Sequence, residues 1–227
     1  MQVVFLSGGL ATRLRPLSKT TPKALIPVGG VPYVYHQLNR LIQSGFTRFV
    51  FCLGHLSEPI VSYLNSLSEW RDCFTYSVEE EPLGTGGALL NAYTLLEDNF
   101  IVINVDNIWM GKYKPLIEYY YRINAQALIV IRSVKNPGNT LFNPKSSKID
   151  HYARNSPDCK YEDIGVKIFN KSIFAGYLNK NRISLEDDIY ISLIKDRKLN
   201  GFLSNDRILD IGTFENLKLT KQYISSL

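Results

Sequence analysis

Glycines followed at short range by fixed cations open this chain. An apolar run, Val3 to Leu6, breaks into Ser7, Gly8 and Gly9, where the backbone must turn and can approach a ligand closely. Arg13 and Arg15 follow, then Lys23 directly after Pro22. Free glycine amides backed by cations suit a polyphosphate. The pattern is not the nucleotide-triphosphatase loop, which closes on Gly-Lys-Ser/Thr, nor the dinucleotide fingerprint, whose third glycine is absent. A second chemistry rests on Asp106 and Asp210. Each follows an apolar, strand-like run, IVINVD and RILD, and precedes a turn. Two such carboxylates could share one Mg²⁺, a hard ion that takes oxygen ligands and bridges to phosphates. An aspartate at a strand end is more often a turn or cap former, so spacing alone leaves both readings open. The third stretch is EEEPLGTGGALLNA, residues 79–92. Gly84, Gly86 and Gly87 would let the chain pass close beside a flat ring whose edge backbone groups can read. Alternatively the acids are a solvated strand end and the glycines a helix-start loop. His36, His55 and His151 lack metal-like or triad-like spacing and read as structural.

The elements that must position these residues follow from periodicity. Residues 33–44 carry apolar side chains near helical spacing, with Gly45 as terminator. Residues 48–54 read as a strand and 58–67 as a second helix, an alternation that argues for a parallel sheet. Residues 74–81 read as a strand ending in three acids, and a glycine-led helix follows. The nearly all-apolar stretch 99–107 puts Asp106 at a strand's carboxyl end, where ligands bind in open α/β sheets. A helix over 113–124 and a strand over 127–134 come next. Residues 135–160 are a loop-rich excursion with one hairpin, and 163–169 resume the sheet. Ser184 with Asp187 forms a capping-box pattern, which predicts a helix over 184–196. GFLSN and RILDIG are short strands, and Thr213 caps a last helix to about residue 225.

Composition excludes several classes. Apolar residues at 45% and charged residues at 21% are ordinary globular usage, which removes disordered and fibrous readings. No stretch approaches the roughly 18 apolar residues of a membrane span, and the apolar start meets Ser-Gly-Gly too soon for a signal peptide. Cys52, Cys73 and Cys159 are odd in number and widely spaced, fitting free thiols rather than a disulfide framework or zinc site. The net charge of +5 comes from scattered residues, which suits an anionic small substrate as well as it suits nucleic acid. Cytoplasm, no membrane and no nucleic acid are the expectations.

The line GGLATRLRPLSKTTPKALIPVGGVP closely resembles the N-terminal signature of the sugar-1-phosphate nucleotidyltransferases. NVDN is similar to the family's asparagine-glycine-aspartate segment, LDIGTFENL to its C-terminal D-x-G-T segment, and EEEPLGTGGAL to the segment that contacts the nucleobase. The E-P-L-G-T form looks like that of the mannose-1-phosphate and D-glycero-D-manno-heptose-1-phosphate guanylyltransferases. ISLED, with Glu186, resembles the family's Ser-Leu-Glu, and the glycine of its asparagine-alanine-glycine turn falls on Gly165. The chain departs from the pattern at Ala11 and Val105, where the family has glycine, and at Asn107, where it has serine or threonine. The resemblance runs from Val3 to about Tyr223.

That resemblance implies a Rossmann-like, doubly wound α/β fold with a mixed sheet, of the nucleotide-diphospho-sugar transferase type, as one nucleotidyltransferase domain over residues 1–227. The reaction it implies joins an NTP, GTP favoured, to a sugar 1-phosphate, giving an NDP-sugar and pyrophosphate with Mg²⁺ as cofactor. It assigns Leu6, Gly8, Gly9, Ala11, Thr12, Arg13, Glu81, Pro82, Gly84, Thr85, Gly86 and Gly87 to the nucleotide. Lys23, Asn104, Arg154, Gly165 and Glu186 fall to the sugar phosphate, and Asp106 and Asp210 to the metal. Arg13, Lys23 and Asp106 carry the catalysis by position and charge, with no covalent intermediate. Two other readings stay open: a cytidylyl- or uridylyltransferase acting on another phosphate, and a catalytically silent nucleotide-sugar-binding regulator. Oligomeric state, a homo-oligomer included, is not fixed by the sequence.

Overall fold

The computed structural model describes residues 1–9, 12–135 and 137–226, with only the backbone of Thr12. The chain runs β1 (Gln2–Ser7), β2 (Pro27–Val28), β3 (Val31–Pro32), α1 (Tyr33–Gln43), β4 (Phe49–Leu53), α2 (Ser57–Ser66), β5 (Phe74–Val78) and α3 (Gly84–Asn91). It continues with β6 (Asn99–Asn104), β7 (Asn107–Trp109), α4 (Tyr113–Arg122), β8 (Ala127–Ser133), β9 (Gly138–Asn143), β10 (Lys148–Ser156) and β11 (Tyr161–Asn170). It ends with α5 (Tyr190–Lys195), β12 (Leu199–Leu203), β13 (Ile208–Asp210) and α6 (Phe214–Ile224).

Nine strands form one mixed sheet in the order β5-β4-β1-β6-β11-β8-β12-β10-β9. β5, β4, β1 and β6 are mutually parallel, and β11 enters antiparallel between β6 and β8. The unbroken apolar runs of β1, β4 and β6 have the composition of strands covered on both faces. Val3 and Phe5 pack on one side with α1, α2 and α4, while Val4, Val50 and Val102 pack on the other with α3 and α5. A smaller third cluster joins Leu14, Ile26, Val28, Tyr33, Ile108, Leu209, Ile211 and Leu217. It holds the ribbons β2–β3 and β7–β13 and the helix α6 together. Cys52, Cys73 and Cys159 are free, and burial pushes the Cys52 thiol up to about 12, which keeps it protonated and inert. Among the described residues no helix is long and apolar enough to cross a membrane.

Three expectations shift in detail. The strand expected over 74–81 stops at Val78, and Glu79, Glu80 and Glu81 lie beyond it. The strand expected over 99–107 splits: β6 ends at Asn104, and β7 leaves the sheet to pair with β13. The helix expected over 184–196 begins as a π turn, Leu185–Ile189, before α5. Ser184 Oγ accepts from the Asp187 amide at 3.0 Å as a cap should, but the returning carboxylate is Asp188, which accepts from the Ser184 amide at 2.7 Å. A turn one residue wider carries the next acid back to the cap.

Thr213 closes the amino end of α6 by accepting from the Asn216 amide at 3.2 Å. Thr213→Ala should therefore cost about 1 kcal/mol, and Thr213→Ser close to nothing. Urea unfolding of the two variants checks this; equal stability of wild type and Thr213→Ala would show that the cap contributes nothing.

Candidate functional site

The carboxyl ends of β1, β4 and β6 open into a cleft of about 330 Å³. Leu6, Ser7, Gly8 and Gly9 come to it from β1, Asn104, Val105 and Asp106 from β6, and His55 and Leu56 from the turn after β4. Pro22 and Lys23 reach it from the segment before β2, and Glu79, Pro82, Gly84 and Thr85 from the segment that leads into α3. Parallel strands put these ends side by side, so residues far apart in sequence share one rim.

At the centre of the rim Lys23 Nζ is paired with Asp106 Oδ2, with side-chain exposures of 13% and 22%. Lys23 opens a single 3₁₀ turn, Lys23–Leu25, pinned by the Leu25 amide on the Pro22 carbonyl at 2.8 Å and by buried Ala24. Asp106 sits in the two-residue turn between β6 and β7. Its carbonyl accepts from the Ile211 amide at 3.1 Å, and Asn107 pairs with Asp210 in the β7–β13 ladder. Asp106 thus immediately precedes the residue that faces Asp210 across the ladder. Asp210 faces an adjacent hollow of about 270 Å³ together with Asn107, Asp163 and Asn216, not the first cleft. Its carboxylate accepts from the Gly212 amide and, at 2.6 Å, from Asn216 Nδ2. These bonds fix its orientation and leave lone pairs over, since a carboxylate offers about four acceptor sites. Both aspartate side chains offer the oxygen donors that Mg²⁺ takes, and among the described residues no group of three or more metal-ligating side chains stands together.

Helix α1 holds the turn that carries Asp106. Tyr33, Gln37 and Arg40 lie on one face, at i, i+4 and i+7. The Tyr33 hydroxyl donates to the Leu209 carbonyl at 2.5 Å and lies 3.2 Å from that of Asp106. Gln37 Nε2 donates to the carbonyls of Asn104 at 3.3 Å and Asn107 at 2.8 Å. Arg40 donates to the carbonyls of Trp109 at 3.0 Å and Gly111 at 2.7 Å, and to that of Met110. Burial, followed by the charges of Asp106 and Asp210, holds the Tyr33 phenol well above its ordinary range, so it remains a neutral donor.

Gly8 is where a side chain would displace the Glu79 carboxylate. A Cβ there would come 2.6 Å from Glu79 Oε1, whose other oxygen accepts from the Leu83 amide at 3.2 Å. Burial raises the Glu79 carboxyl, partly offset by that amide. Glu79 is thus the acid of the EEE run that faces the cleft; Glu81 is exposed and outside the lining. Gly84, Thr85 and Pro82 line it, whereas the amides of Gly86 and Gly87 both donate to the Ile183 carbonyl at 3.0 Å. Those two amides are engaged inside the fold and do not present themselves to a ring.

On the other flank Glu186 Oε2 accepts from Thr85 Oγ1 at 2.8 Å and Ser184 Oγ at 3.2 Å, tying this acid to the cleft wall. Gly165, at φ +84°, lies against the carboxamides of Asn104 and Asn107. Arg154 is elsewhere: it is exposed, 3.8 Å from Asp187, and lines a separate hollow with Arg132 and Lys135. Arg13 is exposed and outside the lining, and Ala11 lies outside the described residues, as does the side chain of Thr12. Sequence reasoning missed Glu79, His55 and the α1 stripe. The rule that ligands meet strand ends would have found the first two, since His55 follows Gly54 just beyond β4 and Glu79 is the first residue beyond β5.

Comparison with known proteins bears on the family and the fold. The chain is 31% identical over 238 residues to a mannose-1-phosphate guanyltransferase of Schizosaccharomyces pombe, covering all of this chain and 65% of that protein. It therefore spans somewhat less than two thirds of the fungal relatives it matches. A D-glycero-α-D-manno-heptose 1-phosphate guanylyltransferase of Aneurinibacillus thermoaerophilus is 27% identical over 215 residues, 93% of each chain. Among solved structures, HddC of Yersinia pseudotuberculosis complexed with GMP-PN superposes with a TM-score of 0.83 at 25% identity, covering 98% of this chain and 99% of that one. A putative glucose-1-phosphate thymidylyltransferase of Bacillus anthracis gives 0.86 at 26% identity, covering 100% and 96%. The central mixed sheet is thus that of the nucleotide-diphospho-sugar transferases. The nucleotidyl transferase family model matches residues 2–142, more than half of the sequence, and the chain belongs to that family.

Proposed function

We propose that this chain transfers a nucleotidyl group from GTP to a sugar 1-phosphate of the mannose or heptose type, releasing pyrophosphate. The observation that carries the reading is the cleft itself: the glycine turn after β1, the Lys23–Asp106 pair and the Glu79 carboxylate meet around one volume. The fungal and bacterial relatives named above as guanylyltransferases, and the neighbour complexed with GMP-PN, support it.

An oxygen of the sugar phosphate attacks the α-phosphorus of the nucleotide in line. The new O–P bond forms as the bond from the α-phosphorus to the bridging oxygen breaks, and that oxygen departs with pyrophosphate. No residue need be modified, so placement and charge do the catalysis. Lys23 supplies the cation nearest the reacting phosphates, and its pairing with Asp106 keeps two half-desolvated charges partnered until substrates arrive. Asp106 and Asp210 would hold Mg²⁺, which when bound neutralises charge on the α-phosphate. Arg13 would meet the departing phosphates, and Glu186, Asn104 and Gly165 the sugar side.

Glu79 favours guanine by chemistry. A carboxylate only accepts hydrogen bonds, and guanine offers two adjacent donors, N1–H and the 2-amino group. Uracil and thymine offer one N–H flanked by two carbonyls, which a carboxylate repels.

Asp106→Asn and Asp210→Asn should each cut turnover by about 10² or more while leaving the unfolding midpoint near wild type, because each removes a charge aimed at the transition state. Near wild-type kcat at saturating Mg²⁺ in either variant would remove that residue from the metal site. In a pyrophosphate-release competition GTP should outrun UTP, CTP and dTTP by roughly thirty-fold or more, since two unpaired buried groups at about 1–3 kcal/mol each separate right base from wrong. Glu79→Gln should lower kcat/KM for GTP about 5- to 150-fold, the loss of one such pairing, and narrow the gap to UTP. A variant with wild-type preference would take base selection away from Glu79, and a wild-type chain that prefers UTP or CTP would refute the guanylyl assignment while sparing nucleotidyl transfer.

A further inference from the structure

β11 is not regular. It pairs with β8 at Asp163↔Ile131 and next at Lys167↔Ile129, so four steps along β11 span two along β8. The excess is a bulge around Gly165, whose positive φ re-aims the chain. Inside it Asp163 Oδ1 accepts from the Gly165 amide at 2.8 Å, and Asp163 Oδ2 lies 3.4 Å from Lys167 Nζ and accepts from the Tyr190 hydroxyl at 3.1 Å. The two charged side chains are only 4% and 1% exposed. One more bond, from the Asp163 amide to Asn139 Oδ1 at 2.9 Å, holds the start of the bulge to β9.

The bulge lines, through Asp163 and Ile164, the hollow that Asp210 faces, and it backs the asparagines on either side of Asp106. The Ile164 carbonyl accepts from Asn107 Nδ2 at 3.1 Å, and a Cβ on Gly165 would come 2.7 Å from Asn107 Nδ2 and 3.0 Å from Asn104 Nδ2. Asn104 and Asn107 bracket Asp106, and Tyr190 begins the helix that continues from the turn bearing Glu186. Burying a lysine and an aspartate together is poor as a stabilising device, because apolar residues of similar volume serve as well or better. What such a pair does supply is register: a bulge that slipped by one residue would turn its side chains to the wrong face.

We infer that Asp163 and Lys167 are a positioning pair that locks the β11 bulge and so aims the carboxamides of Asn104 and Asn107, with Glu186 beyond, at the sugar 1-phosphate. The inference rests on the nucleotidyl-transfer reading for its kinetic consequence, but not for its structural one. The structural consequence is read without substrate, as hydrogen exchange of the Gly165 amide in the full chain. The variant of choice replaces both charges, Asp163→Leu with Lys167→Met, leaving no buried charge alone. It should fold, exchange the Gly165 amide about ten-fold faster or more, and raise KM for the sugar 1-phosphate about ten-fold while KM for the nucleotide stays within about two-fold, a tenfold change matching one lost hydrogen bond. Lys167→Arg, which keeps the pair, should restore both readouts. Should the double variant fail to fold, Asp163→Asn with Lys167→Met takes its place, again leaving no buried charge alone, with the same direction expected and a smaller size.

Exchange and sugar KM unchanged in the folded variant would overturn the inference. Sugar and nucleotide KM rising together would overturn it too, as the mark of general loosening. If the wild-type chain turns over no nucleotide with any sugar 1-phosphate, the functional reading falls by itself. Exchange at Gly165 then decides the pair alone, and wild-type exchange in the variant overturns it.

Discussion

Where β6 ends, a run of backbone carbonyls from Asn104 to Gly111 must leave the sheet ladder without being left unpaired in the interior. Everything at the site depends on how that is done. One face of α1 meets these acceptors: Gln37 donates to two main-chain oxygens and Arg40 to three, while the Tyr33 hydroxyl donates to the Leu209 carbonyl beside that of Asp106. With those donors in place Asp106 projects at the rim while Asn107 to Trp109 turn aside to pair with β13. The same Tyr33 hydroxyl reaches Leu209, next to Asp210, so a single phenol spans the backbones of both aspartate-bearing segments. It serves as a tether because burial and two nearby carboxylates keep it from ionising.

The rim shows the same economy of charge. Lys23 and Asp106 neutralise each other, Asp210 is answered by an amide and a carboxamide, and Glu79 by the Leu83 amide. No group in this set is both buried and unanswered, yet none has used all of its acceptor or donor capacity. Each partner can therefore be exchanged for another without the group first being stripped of every bond.

Much of this was legible in the residues. Apolar runs at 3–6, 48–54 and 99–107 read as strands, the last overrunning β6 by three residues, and their alternation with helical periods argues for the parallel pairing that β1 makes with β4 and β6. The long signature over residues 3–32 named the family, as the matching family model bears out. What was not legible was polar and tertiary. YVYHQLNRLIQS was read as a crossover helix from its apolar side chains, yet the residues that matter to the site are Tyr33, Gln37 and Arg40, whose partners are main-chain atoms some 70 residues or more away. Gly86 and Gly87 looked free to meet a base because their partner, the Ile183 carbonyl, is nearly 100 residues distant in sequence. Likewise the acid that faces the cleft is the first of three consecutive glutamates. Only the end of β5 at Val78 distinguishes Glu79 from its neighbours.

Val105 shows why a departure from a family pattern must be judged by backbone conformation. A glycine before the corresponding aspartate in the family pattern suggests a need for positive φ or for a vacant Cβ position. In this chain the Val105 amide donates to the Leu6 carbonyl at 3.2 Å, continuing the β1–β6 ladder one residue past the strand. Val105 is not among the positive-φ residues. Its side chain is 5% exposed and packs into the cluster beneath α1. A β-branched side chain is stiff at χ1 and loses little freedom when packed in this way. The turn into Asp106 therefore starts from a position that valine stiffens, and the freedom that a glycine would add is here replaced by packing against the same helix that holds the carbonyls on either side.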